Sequence, residues 1–228
     1  MSRQAFDKEL ESLFSSIGAL GARVEQIMDD TIRALRIHDV DLARQIFTQD
    51  PDINAAQNSI EQFCVNLIAL QQPIASDLRG ITATLKMLTD IERIADQCAD
   101  ICEIMSTYPE FVNMPTPAPV LRMFEVAREM FSAAIDSFMR RDAALANLVR
   151  RRDDEVDTQF SNVILEMSRL LQEDRTQVSQ ATDYMFVAKY IERMGDHATN
   201  IAEWTLYAIT GNRKAMAEDQ AGHSKPLG

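Results

Sequence analysis

Apolar residues recur at intervals of three and four along almost the whole chain, the period of an α-helix. A first series runs Phe6, Leu10, Leu13, Ile17, Leu20, Val24, Ile27, Ile32, Leu35. A second runs Val40, Ile46, Phe47, Ile53, Ile60, Phe63, Cys64, Leu67, and Pro51 inside it predicts a kink or local opening. After QQPIASD, where Ser76 or a neighbour is placed to cap a helix, a third runs Leu78, Ile81, Leu85, Leu88, Ile91, Ala95, Cys98, Cys102, Met105. Its spacing is close to the heptad seam of helices packed side by side. No strand-like alternation competes, so the expected fold class is all-α.

The period then lapses over STYPEFVNMPTPAP, residues 106–119, which holds four prolines and reads as a linker. Beyond it the three-helix pattern returns. Leu121, Phe124, Phe131, Ile135 and Phe138 mark a fourth helix; Leu145, Leu148, Val156, Phe160, Val163 and Leu170 a fifth. Val178, Met185, Ala188, Ile191, Gly195, Ala198, Ile201 and Ile209 mark a sixth. Residues 211–228 open on a glycine stop and read as a disordered tail. The halves also correspond in detail: HDVDLARQIFTQDPDIN (38–54) pairs with RDAALANLVRRRDDEVD (141–157), and IERIADQCADI (91–101) with IERMGDHATNI (191–201). The expected organisation is two tandem three-helix bundles, residues 1–105 and 120–210, related by internal duplication.

Composition narrows the function classes. Of 228 residues, 46% are apolar and 25% charged, an ordinary soluble balance. No apolar run reaches the ~18 residues of a spanning helix, and the first residues lack the apolar stretch of a secretory signal. The expected location is the cytoplasm. A net charge of −12 argues against nucleic acid and suits cations or a basic protein partner. Cys64, Cys98 and Cys102 fit no disulfide framework. The last two continue the apolar series and read as core residues.

One pattern is costly. Glu92, Asp96 and Asp100 are spaced four apart, where like charges on a helix repel. At about 100° per residue, these three and Glu103 fall within roughly 80° of one another, beside the buried seam. Glu192, Asp196, Asn200 and Glu203 repeat the pattern, and Arg93 and Arg193 lie on the outer flank of each stripe. The stripes are either solvated faces with partial arginine compensation, or oxygen-ligand sites for Mg²⁺, Mn²⁺, Ca²⁺ or iron. A catalytic reading finds no support. None of His38, His197 and His223 follows a glutamate by three, as di-metal oxidases on helical bundles require. There is no phosphate loop, nucleophile elbow or H-E-x-x-H motif. The expectation is a binding or regulatory protein, not an enzyme.

QPIASDLR, LTDIERIADQCADI and YIERMGDHATNIAE together resemble the PhoU family of phosphate-signalling regulators, over roughly residues 5–210. The resemblance implies two three-helix bundles, often dimeric, restraining a phosphate-specific ABC transporter through its ATPase subunit. It also implies action on a membrane sensor histidine kinase that keeps the phosphate-starvation genes off, with the inner membrane reached only through these partners. It further implies multinuclear metal sites, of Mg, Mn, Fe or Zn. The first would use Glu92, Asp96 and Asp100, the second Glu192, Asp196 and Asn200. Arg93, Arg193, Glu103, Glu203, Asp77 and Arg79 would support these sites or meet partners. Two positions depart from the family pattern: Ala95 stands where glycine is usual, and Asn200 where an acid is found at Asp100, which favours the first site. The alternative is a carboxylate-rich metal-binding or storage protein with no signalling role.

Overall fold

The computed structural model describes residues 3–48, 50–108 and 110–212, without the side chains of residues 50–52. Seven α-helices carry the described residues: α1 (Arg3–Ile37), α2 (Val40–Thr48), α3 (Asp50–Gln71), α4 (Ala75–Thr107), α5 (Ala118–Arg140), α6 (Ala143–Glu173) and α7 (Val178–Thr210). Single 3₁₀ turns occupy Phe111–Asn113 and Arg175–Gln177. No strand is found among the described residues, and the fold is all-α with the duplicated layout expected.

The predicted opening near Pro51 divides the second series into α2 and α3. Pro51 is the second residue of α3, where a helix has no N–H bond to lose. The predicted cap is different. Ser76 lies inside the first turn of α4, the cap position is Ile74, and its carbonyl accepts from the N–H groups of Asp77 and Leu78. Four residues of the apolar series, Phe47, Leu78, Leu148 and Val178, are exposed. All four lie within nine residues of a helix end, where fewer neighbouring helices cover the chain. The predicted tail beyond Asn212 lies outside the described residues.

The duplication is visible in backbone detail. The residues that follow α1 and α5, His38 and Arg141, are both left-handed, at φ 55° and 53°. In each case the next residue, Asp39 or Asp142, returns its N–H to the helix just finished, at Ala34 O (3.0 Å) and Ser137 O (2.8 Å). Each aspartate then caps the following helix: Asp39 Oδ1 accepts from Leu42 N, and Asp142 Oδ1 from Ala144 N and Leu145 N. One polar residue therefore serves both sides of a tight corner, twice.

The bundles lie side by side through α1 against α5 and α4 against α7. The first contact is close because Gly21 has no side chain. A Cβ there would come within 2.9 Å of Ile135 Cγ2. Arg128 grips both Asp29 oxygens at 2.9 and 3.0 Å, and Arg36 meets Glu125 at 2.6 Å. α4 and α7 run antiparallel, since Asp90 reaches Asn200 while Asp100 shares a groove with Tyr190. These two pairs exchange under the hundred-residue offset, which places a pseudo-two-fold axis near Ala95 and Gly195.

The predicted linker is packed. Phe111 is fully buried with its ring 4.5 Å from Tyr184. Thr116 Oγ1 donates to Leu35 O at 2.6 Å and lies 3.2 Å from the Tyr184 hydroxyl and 3.0 Å from His38 Nε2. Burial pushes the Tyr184 phenol up to about 12. The cysteines are core residues, as expected. All three are buried and free; burial raises Cys64 and Cys102 to about 12 and pushes Cys98 well above the ordinary thiol range.

Candidate functional site: acidic faces beside the α4–α7 seam

The chain's stacked acids divide among three settings. On α4, Glu92 and Asp96 are mostly covered, and Arg93 spans them from the outer flank. Its Nη1 donates to Asp96 Oδ2 at 2.9 Å, and its Nε lies 3.5 Å from Glu92. Arg93 thus offsets the repulsion that the spacing creates. Asp100 and Glu103, further along α4, instead line a groove with α7.

On α7, Glu192 pairs with Lys189, and Asp196 faces a second acidic element that the stripe on α7 alone does not reveal. That element is Asp153 and Asp157 on α6, four apart in RRRDDEVD. Asp196 is exposed, yet partial loss of solvent beside α6, then the charges of Glu192, Asp153 and Asp157, raise its carboxyl to about 6, with Lys189 opposing. The helices approach closely because residue 195 is glycine. A Cβ there would sit 3.3 Å from Val156 Cγ1 and 3.5 Å from Asp153 Oδ1. Thr199 Oγ1 donates to Asp153 Oδ1 at 3.3 Å and fixes that carboxylate. The signal for Asp153 and Asp157 was present in the sequence, in the same four-residue spacing.

Asn200 does not face this acidic face. Its Nδ2 donates to Asp90 Oδ1 across the seam at 3.1 Å, and His197 Nδ1 lies 2.9 Å from the same oxygen. Glu203 is buried opposite Arg150 Nε at 3.7 Å, whereas its counterpart Glu103 is exposed. Arg193 is exposed on the flank of α7. Asp77 accepts from Arg3 Nη1 at 2.8 Å, tying α4 to the start of α1. Arg79 packs beside Gly211 at the end of α7, and its Nε has no partner among the described residues. These last two residues therefore join helix ends.

In donor chemistry the faces suit a hard cation, because their groups are carboxylate oxygens. In geometry they are open surfaces. Among the described residues, no three histidine, cysteine, aspartate or glutamate side chains converge to hold an ion. Nor is any described helix long and apolar enough to cross a membrane.

Comparison with known proteins matches both halves separately. The PhoU domain is found at residues 17–105 and again at 120–205. The phosphate-specific transport system accessory protein PhoU homolog of Clostridium acetobutylicum is 35% identical over 214 residues, 93% of this chain and 98% of that protein. The phosphate-specific transport system accessory protein PhoU of Escherichia coli is 30% identical over 206 residues, 90% of this chain and 86% of its own length. The crystal structure of PhoU from Pseudomonas aeruginosa superposes with a TM-score of 0.85 at 33% identity, covering 91% of this chain and all of that one. That of the phosphate transport system regulatory protein PhoU from Streptococcus pneumoniae gives 0.84 at 28%, covering 91% and 98%. With both repeats matched and the relatives aligned along nearly their whole length, the chain belongs to the PhoU family.

Proposed function

We propose that this chain regulates a phosphate-specific transport system as a binding scaffold in the cytoplasm and not as an enzyme. The observation that carries this reading is the near full-length likeness, through both repeats, to proteins named as accessory to that system. The protein docks on the transporter's ATPase subunit and on a sensor histidine kinase, as a homodimer. It couples their states by preferring one conformation of each. Its acidic faces meet basic groups of those partners or hold divalent or iron cations that do so. Deletion of the gene is expected to leave phosphate-starvation genes on in phosphate-rich medium; unchanged repression would sink the proposal.

A second reading, metal binding without signalling, draws on the facing carboxylates of α6 and α7. Elemental analysis of protein purified without a metal-affinity tag distinguishes the two roles of the faces. More than one metal per chain, lost in Glu192→Ala/Asp196→Ala or in Glu92→Ala/Asp96→Ala, would make cations part of the site. Metal-free wild-type protein would leave the faces to partner docking.

A further inference from the structure

The longest uncharged stretch of the chain surrounds the corner between α3 and α4. No charged side chain occurs between Glu61 and Asp77, although a quarter of all residues are charged. Leu70, Ile74 and Leu78 are 77%, 59% and 39% exposed there. Ile74 and Leu78 stand one helical turn apart and share a face of α4. The duplication supplies a control. At the matching corner of the second repeat, Glu173, Asp174 and Arg175 replace Pro73, Ile74 and Ala75, and Leu170, the counterpart of Leu70, is packed on the core. That leaves Val178 as the one exposed apolar counterpart. One corner is thus built to face water, and the other carries the kind of apolar surface that a further segment covers.

α7 delivers the chain to this same corner. Gly211, left-handed at φ 73°, ends the helix against the Arg79 side chain, and a Cβ on it would sit 3.4 Å from Arg79 Cδ, Cζ and Nε. Arg79 follows Leu78 directly. Its Nε is out of solvent yet has no hydrogen-bond partner among the described residues, an uncommon state for such a group. Asp77 is engaged by Arg3 instead. Sixteen residues, RKAMAEDQAGHSKPLG, follow Asn212. Met216 is four residues on, a reach of up to about 14 Å, whereas Ile74 lies about 8 Å along α4 from Arg79. Glu218 and Asp219 come just beyond.

We propose that residues 213–219 fold back over the start of α4, with Met216 on Ile74 and Leu78 and the acidic pair Glu218 and Asp219 on Arg79. Methionine conforms to a shallow, irregular apolar surface, and the acids supply the charge that Arg79 lacks. A second copy of the chain fits less well. A stable interface takes about 800 Å² from each partner, and three side chains bordered by Asp77 offer only part of that. A short segment matches the size of the patch. The proposal does not depend on the regulatory reading.

Trypsin tests the contact in the full-length protein, because Arg213 and Lys214 stand at the start of the docked segment. Cleavage there requires the segment to lift, so release of residues 215–228 follows the population of the lifted form. Each rate is divided by that of the matching free peptide. Ile74→Ser/Leu78→Gln and Met216→Ser are each expected to release the segment about tenfold faster than wild type. Glu218→Gln/Asp219→Asn should give a smaller gain, and Leu165→Ser, which removes an exposed leucine from α6, none. Ile74 and Leu78 are exposed and serine is a good cap, so their double variant should keep the wild-type melting temperature. Met216→Ser leaves the described core untouched. Equal release from wild type and these variants, or an equal gain in Leu165→Ser, would overturn the proposal and leave the corner to a partner protein. So would release that slows as protein concentration rises, which would give the corner to a second copy.

Discussion

At one end of the α4–α7 seam, Asp90 holds His197 and Asn200 within 3.1 Å; at the other, the matching positions are Tyr190, Gln97 and Asp100, and a groove opens between the helices. Gln97 is buried where its counterpart His197 is half-buried, yet its Oε1 meets no partner among the described residues. The two ends share a backbone plan and differ in a handful of side chains. Duplication provides the second copy of the seam, and substitution decides which copy is sealed and which is left open.

Breaking the open end from below should have the largest effect. Phe111 and Tyr184 pack together beside it, and Phe111→Ala is expected to cost about 3–5 kcal/mol, seen as a lowered midpoint in urea denaturation. Next comes the direct contrast of the two ends. Asp90→Ala leaves His197 and Asn200 without their shared acceptor and should cost about 1–3 kcal/mol. Asp100→Ala, at the groove, should stay within about 0.5 kcal/mol of wild type. Equal losses in the two variants would show that the ends are not built differently.

At the centre of the seam the expected effects are smaller. Ala95→Gly should cost about 1 kcal/mol through helix propensity alone. Gly195→Ala gains the same propensity but pushes on Val156, so its net change should be well under about 1 kcal/mol. A large loss at residue 195 would mean that α6 cannot yield there. The smallest effect concerns pH. The Asp196 carboxyl is raised in the folded protein, to about 6, so its protonated form favours the folded state. That contribution is complete below the ordinary aspartate range and is lost as pH rises through 6. In chelator-treated protein, Asp196→Asn should therefore raise the urea midpoint slightly at pH 7 and leave it unchanged near pH 3.

The sequence made the helices and the duplication legible because burial imposes a period that survives in every helix; Pro51 marked the break between α2 and α3, and the prolines of 106–119 the longer lapse between the repeats. The cap of α4 was less legible. Ser76 is a good capping residue, but the chain enters the helix two residues earlier, at an isoleucine whose side chain makes no bond. The acids of the stripe could be found by spacing alone. Their division could not, because it depends on what the neighbouring helix presents: Asp153 and Asp157 to Asp196, Asp90 to Asn200, Arg150 to Glu203. Ala95 and Gly195 make the same point. The glycine lies where continuous α6 passes close by, whereas α2 and α3, the first-repeat counterpart of α6, break into two helices.

The segment between the repeats also has a mechanical consequence. A hydroxyl on Thr116 is clasped by the end of α1 on one side and by Tyr184 of α7 on the other, while Phe111 is sunk beside that tyrosine. Two bundles joined by a slack cord would melt in separate steps and turn independently. Bolted in this way, the two should unfold in a single transition, and a partner that grips one repeat moves the other with it.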